Sequence, residues 1–219
     1  ASQLLVECGD RVLMADPNSP CNRHFMALAG AEIDTVPVGR DSGWQLTAPL
    51  IERHWQAKTR LAMLASPSNP TGHTLDAEAL TKVIDTVAAK GGDVIVDEIY
   101  QGLNYDDAPL SATSLSDDAF VVNSFSKYFG MTGWRLGWLV APEQAVEPLT
   151  RLAQNVFLAA PTPSQHAALA AFTPECRDIL ETRRATLKQR RQVLLDGLAE
   201  LGLAPDLPPQ GAFYLWLDI

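Results

Sequence analysis

Three short polar clusters each follow directly on an apolar, β-rich run: SPSNPTG (residues 66–72) after LAMLA, DEIY (97–100) at the end of DVIV, and SFSK (124–127) after AFVVN. Lys58, Lys82, Lys90 and Lys188 fall in helical patterns where a solvated face accounts for them, whereas Lys127 follows a strand-like run among Ser124, Ser126 and Tyr128. A lysine amine in a dry pocket or near other cations sheds its proton more readily and can attack a carbonyl to form a Schiff base. Arg135, in GWRLGW, offers a guanidinium fork for a phosphate. Asp97 and Glu98 are strand neighbours that point to opposite faces, so they do not act as paired acid and base at one centre. Asp97 ends the run and is the one expected in the pocket, where a carboxylate would stabilise a protonated pyridine nitrogen. Asn69 adds donors and an acceptor from a loop of turn formers, Pro67, Pro70 and Gly72.

Each cluster alone has a plainer explanation: Asp97 as a turn or helix-cap carboxylate, SPSNPTG as a mere loop. SFSK also fits the Ser-x-x-Lys pattern of serine penicillin-binding enzymes, with Ser124 as nucleophile, but the partner strings Ser-Asp-Asn and Lys-Thr-Gly occur nowhere in the chain. Convergence favours a shared site, because ligands of open parallel sheets bind outside the carboxyl ends of the strands.

The elements that would position these clusters are legible from periodicity. Short apolar runs predict strands at residues 11–15, 32–37, 61–65, 93–97, 119–123 and 135–141, alternating with helical patterns as in βα units around a mainly parallel sheet. Leu80, Val83, Ile84 and Val87 at three-and-four spacing predict an amphipathic helix over 76–90, ended by Gly91 and Gly92. Further helices are expected at 143–155, 164–172 and 174–201. In the last, Leu180, Leu187, Leu194, Leu198 and Leu201 share a face, and Arg183, Arg184, Lys188, Arg190 and Arg191 are expected on a solvated one. At about 28 residues this helix would reach about 40 Å and could bridge two domains. The tail, ending FYLWLDI, reads as a strand of a second, smaller unit.

The 219 residues carry a net charge of −9, which disfavours nucleic acid and anionic membrane partners. The three cysteines, Cys8, Cys21 and Cys176, have neither zinc-site nor disulfide-scaffold spacing, which fits a reducing cytoplasm. No apolar run is long enough to span a membrane, and the start is not a signal peptide. Without an initiator Met, and with a terminal strand that stops abruptly, both ends are expected to be cut. His24, His54, His73 and His166 lack ligand spacing, so no metal is expected; Trp134 and Trp138 are expected to pack beside the core.

Taken in order, SNPTG, DEIY, SFSK and GMTGWRLGW resemble the signature of class I and II aminotransferases, pyridoxal-phosphate enzymes of fold type I, over nearly the whole chain. The resemblance implies a three-layer αβα large domain with a mainly parallel sheet (residues 1–173) and the long helix with the start of a smaller α+β domain (174–219). Lys127 resembles the Schiff-base lysine that also shuttles the substrate α-proton, and Asp97 the partner of the pyridinium nitrogen. Asn69 and Tyr100 are similar to the pair that binds the cofactor's 3′ oxygen. Ser124, Ser126 and Arg135 resemble phosphate ligands, and Ala1, Ser2 and Gln3 the end of the phosphate loop. Ser19, in DPNSPCNRHF, stands where the family usually stacks an aromatic ring on the cofactor. The implied activity is transamination between an amino acid and a 2-oxo acid by a cytoplasmic homodimer. A lyase on the same scaffold, or a ligand-sensing domain of a transcription regulator, would share these motifs.

Overall fold

The computed structural model describes residues 1–106 and 108–217. All six expected strands form, as β1 Arg11–Asp16, β2 Glu32–Pro37, β3 Thr59–Ala65, β4 Asp93–Asp97, β5 Phe120–Ser124 and β6 Gly137–Val140. They make one sheet in the order β2-β1-β3-β4-β5-β6, parallel throughout except for the antiparallel β5–β6 pair. The helices are α1 Ser2–Leu5, α2 Pro20–Leu28, α3 Ala48–His54, α4 Ala77–Ala89, α5 Glu143–Val156, α6 Thr162–Ala170 and α7 Pro174–Glu200.

The period-two alternation of strand side chains builds two cores, one on each face of the sheet. Leu13, Ala62, Leu64, Val94 and Val96 pack with Ile51 of α3 and with Leu80, Val83 and Val87 of α4. Val12, Met14, Leu61, Met63 and Ile95 point the other way, onto Met26 of α2 and Ala145 of α5. The result is the α/β three-layer architecture expected. Asp76 caps α4, its carboxylate accepting from the Ala79 N–H at 2.8 Å, and Gly91 in the left-handed region at φ 70° ends the turn that follows. Helices α2 and α3 carry weaker signals: α2 buries only Asn22 and Met26, α3 only Ile51, and each opens with a proline in its first turn.

Two expectations about the C-terminal part need correction. The leucine face of α7 is covered only in part: Leu180 is buried and Leu187 packs against Tyr100 and Leu103, but Leu194 and Leu201 are 52% and 73% exposed. Part of the cationic set docks beside the covered leucines, while Arg183 and Arg190 stay exposed as expected. Arg184 Nη1 donates to the Asn104 carbonyl at 2.9 Å, Lys188 Nζ to the Tyr105 carbonyl at 2.8 Å, and Arg191 to the Pro209 carbonyl. Arg191 also lies 5.0 Å from the Tyr105 ring centroid and, with Lys188, pairs with Asp106. Loop carbonyls turned away from any ladder need donors, and long cationic side chains supply them while laying their stems along the loop. The expected tail strand does not form over residues 213–217, because no described strand lies beside it to pair with; its last two residues, Asp218 and Ile219, lie outside the described residues. Trp134 and Trp138 are 47% and 38% exposed rather than packed in the core, although Trp138 keeps a T-shaped contact with Phe125, ring centroids 5.2 Å apart.

Candidate active site

The carboxyl ends of β1, β3, β4 and β5 open into one cleft of about 500 Å³, on the face of the sheet that α2 covers. Ser2, Asn69, Asp97, Tyr100, Lys127 and Arg135 all line it, with Ser19, Cys21, Asn22 and Phe25 of the α2 segment opposite. The parity of β4 explains the split between the two adjacent acids. Asp97 continues the side of Ile95 and reaches the cleft. Glu98 continues the side of Val96, is 2% exposed, and accepts from the Ala112 N–H at 2.6 Å, anchoring the short turn Ala112–Ser114.

Asp97 Oδ1 accepts the Ile99 N–H at 3.1 Å, and among the described residues that is its hydrogen bond. Burial pushes its carboxyl above the usual carboxylate range, a shift only partly offset by the Ile99 N–H and the charge of Lys127. A buried acid in this condition is short of a cationic partner. Lys127 Nζ sits over two rings, 5.5 Å from the Tyr100 centroid and 5.6 Å from that of Phe213. Tyr100 is 3% exposed, and its hydroxyl lies 2.8 Å from the hydroxyl of Tyr214. Burial drives its phenol far above the ordinary value, with the Asn69 side chain acting in the opposite sense.

Arg135 occupies the left-handed region at φ 53°, unusual for a side chain of its size, and Nη1 donates to the Thr132 carbonyl at 2.8 Å; the turn thereby swings the guanidinium towards the cleft. Ser124 and Ser126 do not line the cleft. Their hydroxyls bond each other at 2.8 Å, and Ser124 Oγ also donates to the Leu136 carbonyl at 3.1 Å, holding together the turn that carries Lys127. Gln3 faces a separate groove between β6 and α5. Sequence reasoning missed Tyr214, which reaches the cleft from beyond α7, and the α2 residues Asn22 and Phe25. Pro20 after a strand end was the available signal for α2; nothing local marks Tyr214. No cluster of three or more metal-ligating side chains occurs among the described residues.

Residues 1–219 match the family Aminotransferase class I and II. The chain belongs to that family. The family depends on pyridoxal phosphate. The chain is 39% identical to the valine–pyruvate aminotransferase of Mycobacterium tuberculosis, over 97% of this chain and 55% of that protein. It is 32% identical to the (5-formylfuran-3-yl)methyl phosphate transaminase of Methanocaldococcus jannaschii, over 98% and 55%. An aminotransferase structure from Mycobacterium tuberculosis superimposes with a TM-score of 0.93 at 39% identity, covering 98% of this chain and 56% of that one. Thermus thermophilus aspartate aminotransferase with maleate does so at 0.90 and 27%, covering 96% and 56%. This aminotransferase-family chain spans about half the length of the curated relatives it matches. Among its described residues, no helix is long and apolar enough to cross a membrane.

Proposed function

We propose that the cleft is the cofactor and substrate site of an aminotransferase that moves an amino group between an amino acid and a 2-oxo acid. The observation that carries this is the convergence of Asn69, Asp97, Tyr100, Lys127, Arg135 and Ser2 on one cavity of about 500 Å³, a size suited to a small aromatic ligand. The donor set fits pyridoxal phosphate. A buried, cation-short carboxylate suits its ring nitrogen, and a guanidinium suits its phosphate.

When bound, pyridoxal phosphate supplies an aldehyde that condenses with amines and a ring that withdraws electrons from the substrate α-carbon. The chain's own groups do the rest. Lys127 holds its amine in the cleft, where it would meet the cofactor's aldehyde and move the proton at the substrate α-carbon. Asp97 would hold a proton on the ring nitrogen, and a cation there would offset the burial that raises its own carboxyl. Asn69 and Tyr100 would donate to an anionic oxygen, while Arg135 and Ser2 would hold the phosphate. Ser124 and Ser126 enter through the turn that carries Lys127, which their hydroxyls brace, while Gln3 faces the separate groove and is given no part in holding the phosphate. Ser19 contributes no ring to stack. The intact protein is taken to be a cytoplasmic homodimer, with residues 1–173 as the large domain and 174–219 beginning the small one.

The test is the absorbance of full-length protein with added pyridoxal phosphate, before and after borohydride, in wild type and Lys127→Ala. A band fixed by reduction in wild type and missing in the variant is expected; identical behaviour of the two would sink the lysine assignment. Amine exchange with 2-oxo acids, measured beside pyruvate release from a thioether amino acid, then separates transfer from lyase chemistry. Pyruvate release without exchange would overturn the transferase reading.

A further inference from the structure

The residues after α7 return to the cleft. The tail is pinned by a run of main-chain bonds: Gly211 N–H to the Gly72 carbonyl at 2.9 Å, Tyr105 N–H to the Gln210 carbonyl at 2.9 Å, and Ala212 N–H to the Leu103 carbonyl at 3.0 Å. Ala212 is held in the left-handed region at φ 59°, a strained setting for a residue with a Cβ, and the Tyr105 hydroxyl donates to its carbonyl. This turn delivers Phe213 and Tyr214 onto Tyr100, edge to face, with ring centroids 5.3 and 5.7 Å away. Tyr214 lines the same cleft as Lys127, and its hydroxyl is 2.8 Å from that of Tyr100.

We propose that Tyr214 is a positioning residue whose hydroxyl donates to the Tyr100 oxygen and so aims the Tyr100 proton into the cleft. The inference rests on the reading of the cleft as the cofactor site. Each phenol has one proton to give, so within the pair one donates and the other is left with its proton free. An anionic oxygen bound beside Tyr100 and Asn69 accepts only, and it therefore requires the Tyr100 proton. Tyr100 is buried, so its oxygen needs a protein donor; with the Asn69 amide turned to the bound oxygen, the Tyr214 hydroxyl at 2.8 Å is left to supply it. Tyr214 is half-buried, and solvent can satisfy its second lone pair. The direction Tyr214 to Tyr100 to ligand oxygen satisfies every partner, and each bond in such a chain polarises the next.

Tyr214→Phe keeps the ring and its edge-to-face contacts and removes only the hydroxyl. The readout is the pH midpoint of the visible band of full-length, pyridoxal-phosphate-loaded protein, in wild type, Tyr214→Phe, Tyr100→Phe and the double variant. A donor to the ring oxygen drains charge that would otherwise hold the proton beside it, so losing that donor moves the midpoint upward. Tyr214→Phe is expected to raise it by roughly 0.3–1 pH unit, the equivalent of one neutral hydrogen bond. Tyr100→Phe is expected to raise it further, and the double variant to match Tyr100→Phe alone, because Tyr214 acts through Tyr100. An unchanged midpoint in Tyr214→Phe, or additive shifts in the double variant, overturns the proposal while the cofactor site stands. Absence of a reducible band in wild type removes the site and the proposal together.

Discussion

At Asp97 and Glu98 one peptide unit separates a cleft residue from a scaffold residue, and the strand's two-residue period makes the difference. Burial raises both carboxyls, but Glu98 holds the Ala112 N–H in a scaffold turn, whereas Asp97 faces the cleft with the Ile99 N–H as its hydrogen bond. The sign follows directly. A folded-state value above the unfolded one means that ionised Asp97 opposes folding, and the penalty grows as pH rises through that folded value. Asp97→Asn, which preserves an acceptor for the Ile99 N–H, is therefore expected to raise the melting temperature of cofactor-free protein at neutral pH. The same change is expected to lower amine exchange by roughly 10²–10³-fold, the usual scale for losing a preorganised electrostatic partner. Calorimetry and exchange assays on one preparation check both halves; a cofactor-free protein that melts several degrees lower would contradict the assignment of an unmet charge.

Among the elements, the SPSNPTG loop and the tail are fitted to each other at Gly72. Its φ of 72° is left-handed, and a Cβ there would meet Pro209 Cβ at 2.6 Å and the Gly211 carbonyl oxygen at 2.8 Å. Two independent requirements, backbone conformation and close approach, thus converge on glycine. Gly72→Ala is expected to cost about 1–3 kcal/mol by its strain alone and to loosen the loop that presents Asn69. Urea unfolding measures the first effect, and affinity for pyridoxal phosphate the second. A loss of stability below about 0.5 kcal/mol would mean that the tail yields readily to the added methyl.

Over the whole molecule, α7 acts as a clamp whose jaws are ionic. Asp106 is held below the usual carboxylate value by Arg191 and Lys188, and Glu181 by the Tyr128 hydroxyl and Arg184. Tyr128, for its part, is pushed up to about 12 by burial and by Glu181. Carboxyls lowered on folding stabilise the fold above their unfolded values, near 3.8 and 4.5 for these two, and lose that contribution as pH falls through the folded values. Burial raises Asp93, Asp97 and Glu98, so protonating those three favours the fold over the same range. Acidification below about pH 4.5 is thus expected to release the clamp before the sheet. In hydrogen exchange of full-length protein, the amides of Leu103, Tyr105 and Ala212 should lose protection first, while those of β3 and β4 keep theirs. Simultaneous loss would show that the clamp and the sheet unfold as one unit.

Six strands, the α4 helix with its Asp76 cap and the order of the polar clusters were determined by the sequence alone, because each depends on neighbours within a few residues: strand alternation, helical spacing, a capping carboxylate. The opposite orientations of Asp97 and Glu98 belong with them, since a period of two is a local property. Only the tertiary structure decided that Arg184, Lys188 and Arg191 of α7 join Leu180 and Leu187 in docking, since cations at helical spacing read as solvated until the loop carbonyls at 104, 105 and 209 are in place to accept. Tyr214 lies 114 residues from Tyr100, and its hydroxyl contact depends on α7 and the turn at Ala212 closing that distance. Such a contact follows from the path of the chain through space, which short-range periodicity does not encode.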